Sequence, residues 1–305
     1  ISVLQLITAV SAVANGGKLL TPYLVESITD AQGNTVYSHE TQVRREVISE
    51  KTSKTICEIL AGGVSGEGGA KNAYAAGYRI GGKTGTSEKR DEDTGDLIVS
   101  FLGVAPANDP KVVVLLGYDS PTPSSPGSNY TAGGTYISGG NMAAVMAGEL
   151  ISDILEYMGV EKEYSKEELS SVDTLVPKVT EISLGEAQRL LKNSGLAWRI
   201  VGDGDMVTDQ IPAQGTSIPK NSQVVLYLGE ERPSDLITVP ELLGRSPDAV
   251  QTMLQSAGLY LRATGNVDYY SSKTLAIDQS VAGGTQVEPG TVVEVRFIDS
   301  QIKDY

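Results

Sequence analysis

The chain opens with apolar residues at Val3, Leu6, Ile7, Val10 and Val13, a spacing that places them on one face of an α-helix. Asn15-Gly16-Gly17 then supplies residues that end a helix in the left-handed region. Strand patterns are expected at 23–29 and 35–37, joined by a turn at Gln32-Gly33-Asn34. Residues 53–60 read as a short helix and 62–69 as a glycine-rich loop. The pattern then turns to β. Residues 79–88 read as a strand along a cleft, and 97–104 and 111–118 flank the turn Pro106-Ala107-Asn108-Asp109-Pro110, which predicts an antiparallel pair. After a Ser/Pro/Gly loop at 119–140, Met142, Val145, Met146, Leu150, Ile154 and Met158 form the stripe of a closing helix expected to pack on the sheet.

The second half repeats itself. Val176-Pro177 recurs as Val239-Pro240, and Gly195-Leu196 as Gly258-Leu259, both 63 positions later. Helical blocks lie between the anchors: Leu184, Ala187, Leu190 and Leu191 in the first, Ala249, Met253 and Leu254 in the second. Gln210-Ile211-Pro212 matches Gln279-Ser280-Val281 at an offset of 69, the extra six residues fitting a loop at 268–273. Each copy closes on alternating strands, 223–228 and 291–297. Two anchors at one offset mark a duplicated helix-plus-sheet unit. The expected organisation is 1–159, a polar linker at 160–174, and repeats at 175–230 and 236–299.

Charge narrows the partners. The net charge of −14 comes without any Lys/Arg cluster, which argues against a nucleic-acid or anionic-membrane footprint. The single cysteine, Cys57, excludes an intrachain disulfide, and with one histidine a zinc site is not expected. No cofactor is implied. No apolar run approaches the ~20 residues of a membrane span. Because the first residues already form an amphipathic helix, the chain reads as a fragment, with any membrane anchor upstream.

Two motifs compete at Lys83. Residues 77–84 match GxxxxGK[ST], but that motif needs a buried strand before it and a helix after it. Residues 71–76 are not a hydrophobic strand, and Gly85-Thr86-Ser87-Glu88-Lys89 shows no helical period. The alternative reads Lys83-Thr84-Gly85-Thr86 as a KTG strand. An ammonium and a hydroxyl at adjacent positions can bind a carboxylate and support proton transfer. Gly85 lets an acyl chain lie against the backbone, and the Thr86 N–H can point at a developing oxyanion.

The surrounding segments match one family in order. ISVLQLITAVSAVANGGK at the start, Thr21-Pro22-Tyr23, GGKTGTSE, the paired LIVSFLGVAP and KVVVLLGYDSP, and the last helix resemble the C-terminal part of class B penicillin-binding proteins. The tail repeats resemble PASTA domains, and the ensemble resembles sporulation or division-septum transpeptidases of Gram-positive bacteria. The resemblance implies an α+β fold: an antiparallel sheet with flanking helices, of the penicillin-binding and serine β-lactamase type, then two small α+β repeats. It implies D-alanyl-D-alanine transpeptidation of peptidoglycan stem peptides through a serine acyl-enzyme, and inhibition by β-lactams. Lys83, Thr84 and Thr86 would be catalytic, and Lys83, Thr84, Gly85 and Thr86 would bind substrate. A septal glycosyltransferase is a candidate partner, and the expected location is the extracytoplasmic membrane face. The family's SxxK nucleophile and SxN triplet are not in this chain; Ser53-Lys54 and Ser165-Lys166 do not replace them, so the chain alone is expected to be inactive.

Other readings stay in view. The repeats could instead form a non-catalytic wall-binding or scaffolding module, while a serine β-lactamase would not carry them. His39 is expected to be solvated, Cys57 and Trp198 to pack in cores, and Asp91-Glu92-Asp93 to be a solvated loop.

Overall fold

A computed structural model describes residues 1–66, 68–89, 96–165, 168, 172–269 and 271–303. The chain divides into two compact units, Ile1–Lys162 with Gln301–Tyr305, and Glu163–Ser300.

The first unit begins with α1 (Val3–Ala14), capped reciprocally by the Ser2 and Gln5 side chains and backbones. Its C-terminal half rests on the sheet through Val10 and Ala14. Val3 and Leu6, expected on the buried face, are exposed instead; the fully buried residues of the helix, Ala12 and Ala14, lie in its last turn. Short ladders follow: β1 (Lys18–Leu20) pairs with β4 (Val43–Glu46), and β2 (Ser27–Thr29) with β3 (Thr35–Ser38). The strand expected over 23–29 shrinks to its last three residues, because Tyr23 instead stacks on His39 at 3.5 Å between ring centres. His39 is therefore not the free surface residue expected.

Helix α2 (Glu50–Ser65) is capped by Ser49 and runs five residues past the expected end. Gly62 and Gly63 lie inside the helix, not in a loop. Gly63 belongs there because a Cβ on it would stand 3.3 Å from the Gly82 carbonyl.

The central sheet is β5 (Gly81–Glu88), β6 (Leu97–Ala105) and β7 (Val112–Asp119), antiparallel in that order. One face carries Phe101, Ala105 and Val114 against Ala144, Ala147, Ile151 and Leu155. These helix residues belong to α3 (Ala144–Tyr157), which a π-helical turn (Gly139–Ala143) leads into. The other face carries Val104 with Ala14 of α1 and Cys57 of α2. Burying side chains the size of Phe101 and Ile151 contributes about 2–3 kcal/mol each. The stripe expected on α3 is rotated: Met146, Leu150 and Met158 are exposed. Ala144 and Ala147 face the sheet beside Ile151 and Leu155, and the alanines let the helix come close. Gly148 lets α3 approach a different neighbour, the 3-10 turn Lys71–Ala73: a Cβ there would lie 2.8 Å from the Ala73 carbonyl.

The second unit holds two copies of one plan. In the first, β8 (Asp173–Leu175) pairs with β11 (Ser217–Pro219), and α4 (Leu184–Asn193) packs on β9 (Ala197–Gly202), β12 (Gln223–Leu228) and β10 (Asp209–Ile211). In the second, β13 (Ile237–Thr238) pairs with β16 (Gln286–Val287), and α5 (Pro247–Ser256) packs on β14 (Tyr260–Gly265), β17 (Val292–Asp299) and β15 (Thr274–Gln279). The sheet order is the same in both copies: the strand after the helix pairs parallel with the last strand, which pairs antiparallel with the middle one.

The recurring glutamine explains the sequence anchors. Gln210 Oε1 accepts from Val179 N (2.8 Å), and its Nε2 donates to the Pro177 and Pro212 carbonyls (3.1 Å each). Gln279 does the same for Leu242 N and the carbonyls of Pro240 and Val281. Each copy thus uses one amide to staple its Val-Pro entry segment to its sheet. Gln210→Leu orphans a buried N–H and two carbonyls, so it is expected to destabilise the first repeat by about 1–3 kcal/mol. Denaturant unfolding followed by Trp198 fluorescence measures this, because Trp198 packs against that repeat's core.

The copies are joined within their unit. Arg262 Nε donates to Asp173 Oδ2 (2.7 Å) and its guanidinium also reaches the Ser217 carbonyl (3.1 Å). The Tyr260 hydroxyl donates to the Gln223 carbonyl, and burial holds it well above the usual phenol range. No helix among the described residues is long and apolar enough to cross a membrane.

Candidate active site

All four expected site residues lie on β5, at the end of the sheet order and, among the described residues, paired as a strand with β6 only. The register sets Lys83 opposite Leu102, Thr84 opposite Phe101, Gly85 opposite Ser100 and Thr86 opposite Val99. Cross-strand partners share a face. Thr84 and Thr86 therefore lie on the α3 face with Phe101, and Lys83 and Gly85 on the α1–α2 face with Leu102. The lysine and the first threonine do not project side by side, as their adjacency in sequence suggested. They flank the strand edge from opposite sides.

Lys83 is exposed, and its Nζ donates to the Thr84 carbonyl at 2.9 Å. Thr84 is buried, with 7 % of its surface exposed. Thr86 is exposed, and its Oγ1 accepts from the Gly139 N–H at 3.0 Å. Gly85 has a reason beyond access to its backbone: a Cβ there would stand 2.8 Å from Ser100 Oγ.

Sequence reasoning missed the segment that fixes the far end of this strand. Gly139 is so close to β5 and β6 that a Cβ would meet the Ser100 carbonyl at 2.3 Å and the Gly85 nitrogen at 3.0 Å. Ser138 Oγ accepts from Asn141 N (3.2 Å), and Asn72 Nδ2 donates to the Gly140 carbonyl (3.0 Å) and to Asn141 Oδ1 (3.3 Å). Ser-Gly-Gly-Asn ahead of an apolar helix is a capping signal, and reading it as one would have marked this turn.

The phosphate-loop reading fails on geometry. Gly82, Lys83 and Thr84 sit inside a strand that continues to Glu88, so no helix N-terminus gathers amides there. Cys57 is buried beside Val104, and desolvation raises its thiol pKa, which suits a core residue and not a nucleophile. Asp91-Glu92-Asp93, Lys166 and most of the expected linker after Ser165 lie outside the described residues.

Comparison with known proteins finds matches in both halves of the chain. Residues 1–136 match the penicillin-binding protein transpeptidase domain, and 174–230 and 237–298 each match the PASTA domain. The chain belongs to the penicillin-binding protein transpeptidases and carries two PASTA domains. Stage V sporulation protein D of Bacillus subtilis (strain 168) is 36 % identical over 239 residues, covering 75 % of this chain and 34 % of that protein. A peptidoglycan D,D-transpeptidase FtsI homolog of Mesostigma viride is 33 % identical over 140 residues, 40 % of this chain and 23 % of the relative. Among solved structures, the D,D-transpeptidase domain of a peptidoglycan glycosyltransferase from Eggerthella lenta aligns with a TM-score of 0.43 and 28 % identity, over 52 % of this chain and 33 % of that one. The chain thus spans about a third of the length of the Bacillus subtilis relative. Membership of the family, the α+β architecture and the PASTA assignment agree with what the sequence led us to expect.

Proposed function

We propose that this chain supplies one wall of the active site of a peptidoglycan D,D-transpeptidase, completed by a nucleophilic serine upstream of Ile1. The observation that carries the reading is the placement of Lys83-Thr84-Gly85-Thr86 on a strand that, among the described residues, pairs with a neighbouring strand on one side only. A stem peptide ending in D-Ala-D-Ala would lie along that edge as an added strand. Its terminal carboxylate would be flanked by the Lys83 ammonium on one side and by the Thr84 and Thr86 hydroxyls on the other. The Thr86 N–H would meet the oxyanion formed when the serine attacks the penultimate D-Ala carbonyl. D-Ala then leaves, and the amine of a neighbouring stem resolves the acyl-enzyme. β-Lactams would acylate the same serine. Residues 160–174 would serve as the linker to the repeats, an upstream segment would anchor the protein at the extracytoplasmic membrane face, and a septal glycosyltransferase would be its partner.

The test is covalent labelling. The complete protein, incubated with a fluorescent penicillin and run on a denaturing gel, is expected to give a band that unlabelled β-lactam abolishes. The 305-residue chain alone should remain dark. A complete protein that never labels, or an isolated chain that does, contradicts the assignment.

A further inference from the structure

Residues 301–303 pack into the first unit at the turn that abuts Thr86. Ile302 is 7 % exposed, and its backbone is held at both poles. Its N–H donates to Asn141 Oδ1 at 3.3 Å, and its carbonyl accepts from Asn141 Nδ2 at 2.9 Å and from Ser138 Oγ at 3.0 Å. Tyr130 donates its hydroxyl to Gln301 Oε1 at 3.5 Å, and Lys303 Nζ stands 5.8 Å from the centre of the Tyr136 ring.

The cradle is fixed from behind. Asn141 Nδ2 also donates to the Tyr136 carbonyl (3.0 Å), and Asn72 donates to Asn141 Oδ1. This orients the amide so that its other N–H and a lone pair face the Ile302 backbone. Ser138 and Asn141 are 0 % and 4 % exposed, and groups buried so deeply need partners. A side-chain amide that pairs with the N–H and C=O of one residue recognises backbone, and the buried isoleucine side chain adds an apolar component.

We propose that Ser138 and Asn141 form a backbone clamp whose resident occupant is the chain's own segment 301–303, and that its occupancy holds Gly139 against Thr86. Gly139 is covalently next to Ser138, and its N–H is the donor to Thr86 Oγ1. Emptying the clamp removes three hydrogen bonds and a buried side chain from the 138–141 turn, and leaves that donor free to move. Any effect on catalysis rests on the reading of β5 given above; the clamp itself does not. The occupant is the chain itself because the segment is tethered, so its local concentration far exceeds that of a free competitor.

Amide exchange followed by NMR on the 305-residue chain tests this. The Ile302 amide is expected to exchange on the order of tenfold or more slower than in an unstructured peptide. Ile302→Pro removes the donor while sparing the clamp, and should speed Gly139 exchange by roughly tenfold; Ile302→Val should restore it. Amides of β6 serve as the folding control and should not change. Free-peptide exchange at Ile302, or unaltered Gly139 protection in Ile302→Pro with β6 intact, overturns the clamp. Protection that falls on dilution would assign the occupant to a second copy and refute the intramolecular form. None of these readouts involves acylation, so failed penicillin labelling would sink the transpeptidase reading and leave this one standing.

Discussion

Gly82→Ala is expected to destabilise the first unit by about 3 kcal/mol, the upper range for overpacking a rigid core. The added Cβ would stand 2.1 Å from Phe101 Cζ, 2.5 Å from Cε2 and 2.9 Å from the Leu102 carbonyl. Two of these atoms belong to a fully buried ring and one to the backbone, so no flexible side-chain end can give way. The ring has no retreat on its other side. Gly103 is the cross-strand partner of Gly82, and a Cβ there would meet Phe101 Cε1 at 2.8 Å and Ile151 Cδ1 at 2.6 Å. The two glycines are the floor on which Phe101 lies, with α3 as its ceiling. Gly62→Ala is the matched control: nothing lies within 4 Å of its Cβ, and it sits inside α2. There the same change should stabilise by up to about 1 kcal/mol through helix propensity alone. Exchange of β6 amides in rising denaturant reads both variants. Equal effects at the two positions would show that packing under Phe101 is not what Gly82 provides.

The central sheet and the repeats were legible because long periodic patterns and turn residues specify them. Residues 97–104 and 111–118 alternate around a proline-bracketed turn, and the two Val-Pro anchors recur at one spacing. The ladder of β1 with β4 was not legible, since three or four residues such as Val43-Arg44-Arg45-Glu46 carry no hydrophobic period. The rotation of α3 was hidden for a different reason. A pattern that counts large apolar side chains favours Met146 and Leu150, whereas the contact is made by Ala144 and Ala147 with Ile151 and Leu155, the small alanines letting the helix approach.

At the site, the motif could be found in the sequence but its geometry could not. KTG names the residues; the pairing register decides that Lys83 and Thr84 straddle the strand. The turn at Ser138–Asn141 carried a local capping signal, but its role at the site was hidden because its partners lie far away in the chain, at Thr86, Asn72 and Ile302. No local pattern encodes contacts of that separation.

Lys83→Ala in the complete protein is expected to slow acylation by fluorescent penicillin by about 100-fold or more, the loss that follows removal of one preorganised electrostatic donor. The effect should be on rate and not on folding. The side chain is exposed and makes one described hydrogen bond, to the carbonyl of its own neighbour, so its removal should change stability by no more than about 0.5 kcal/mol. Lys83→Arg should not restore the rate, because a planar guanidinium cannot replace a compact ammonium at the end of a flexible stem. Lys111 provides the contrast. It pairs with Asp109 at 2.7 Å in the turn between β6 and β7, and Lys111→Ala removes the same charge without touching β5. If the two alanine variants label alike, net charge and not placement governs acylation. Labelling of Lys83→Ala at the wild-type rate would mean that the cation on the free strand edge takes no part in the reaction, whatever family the chain belongs to.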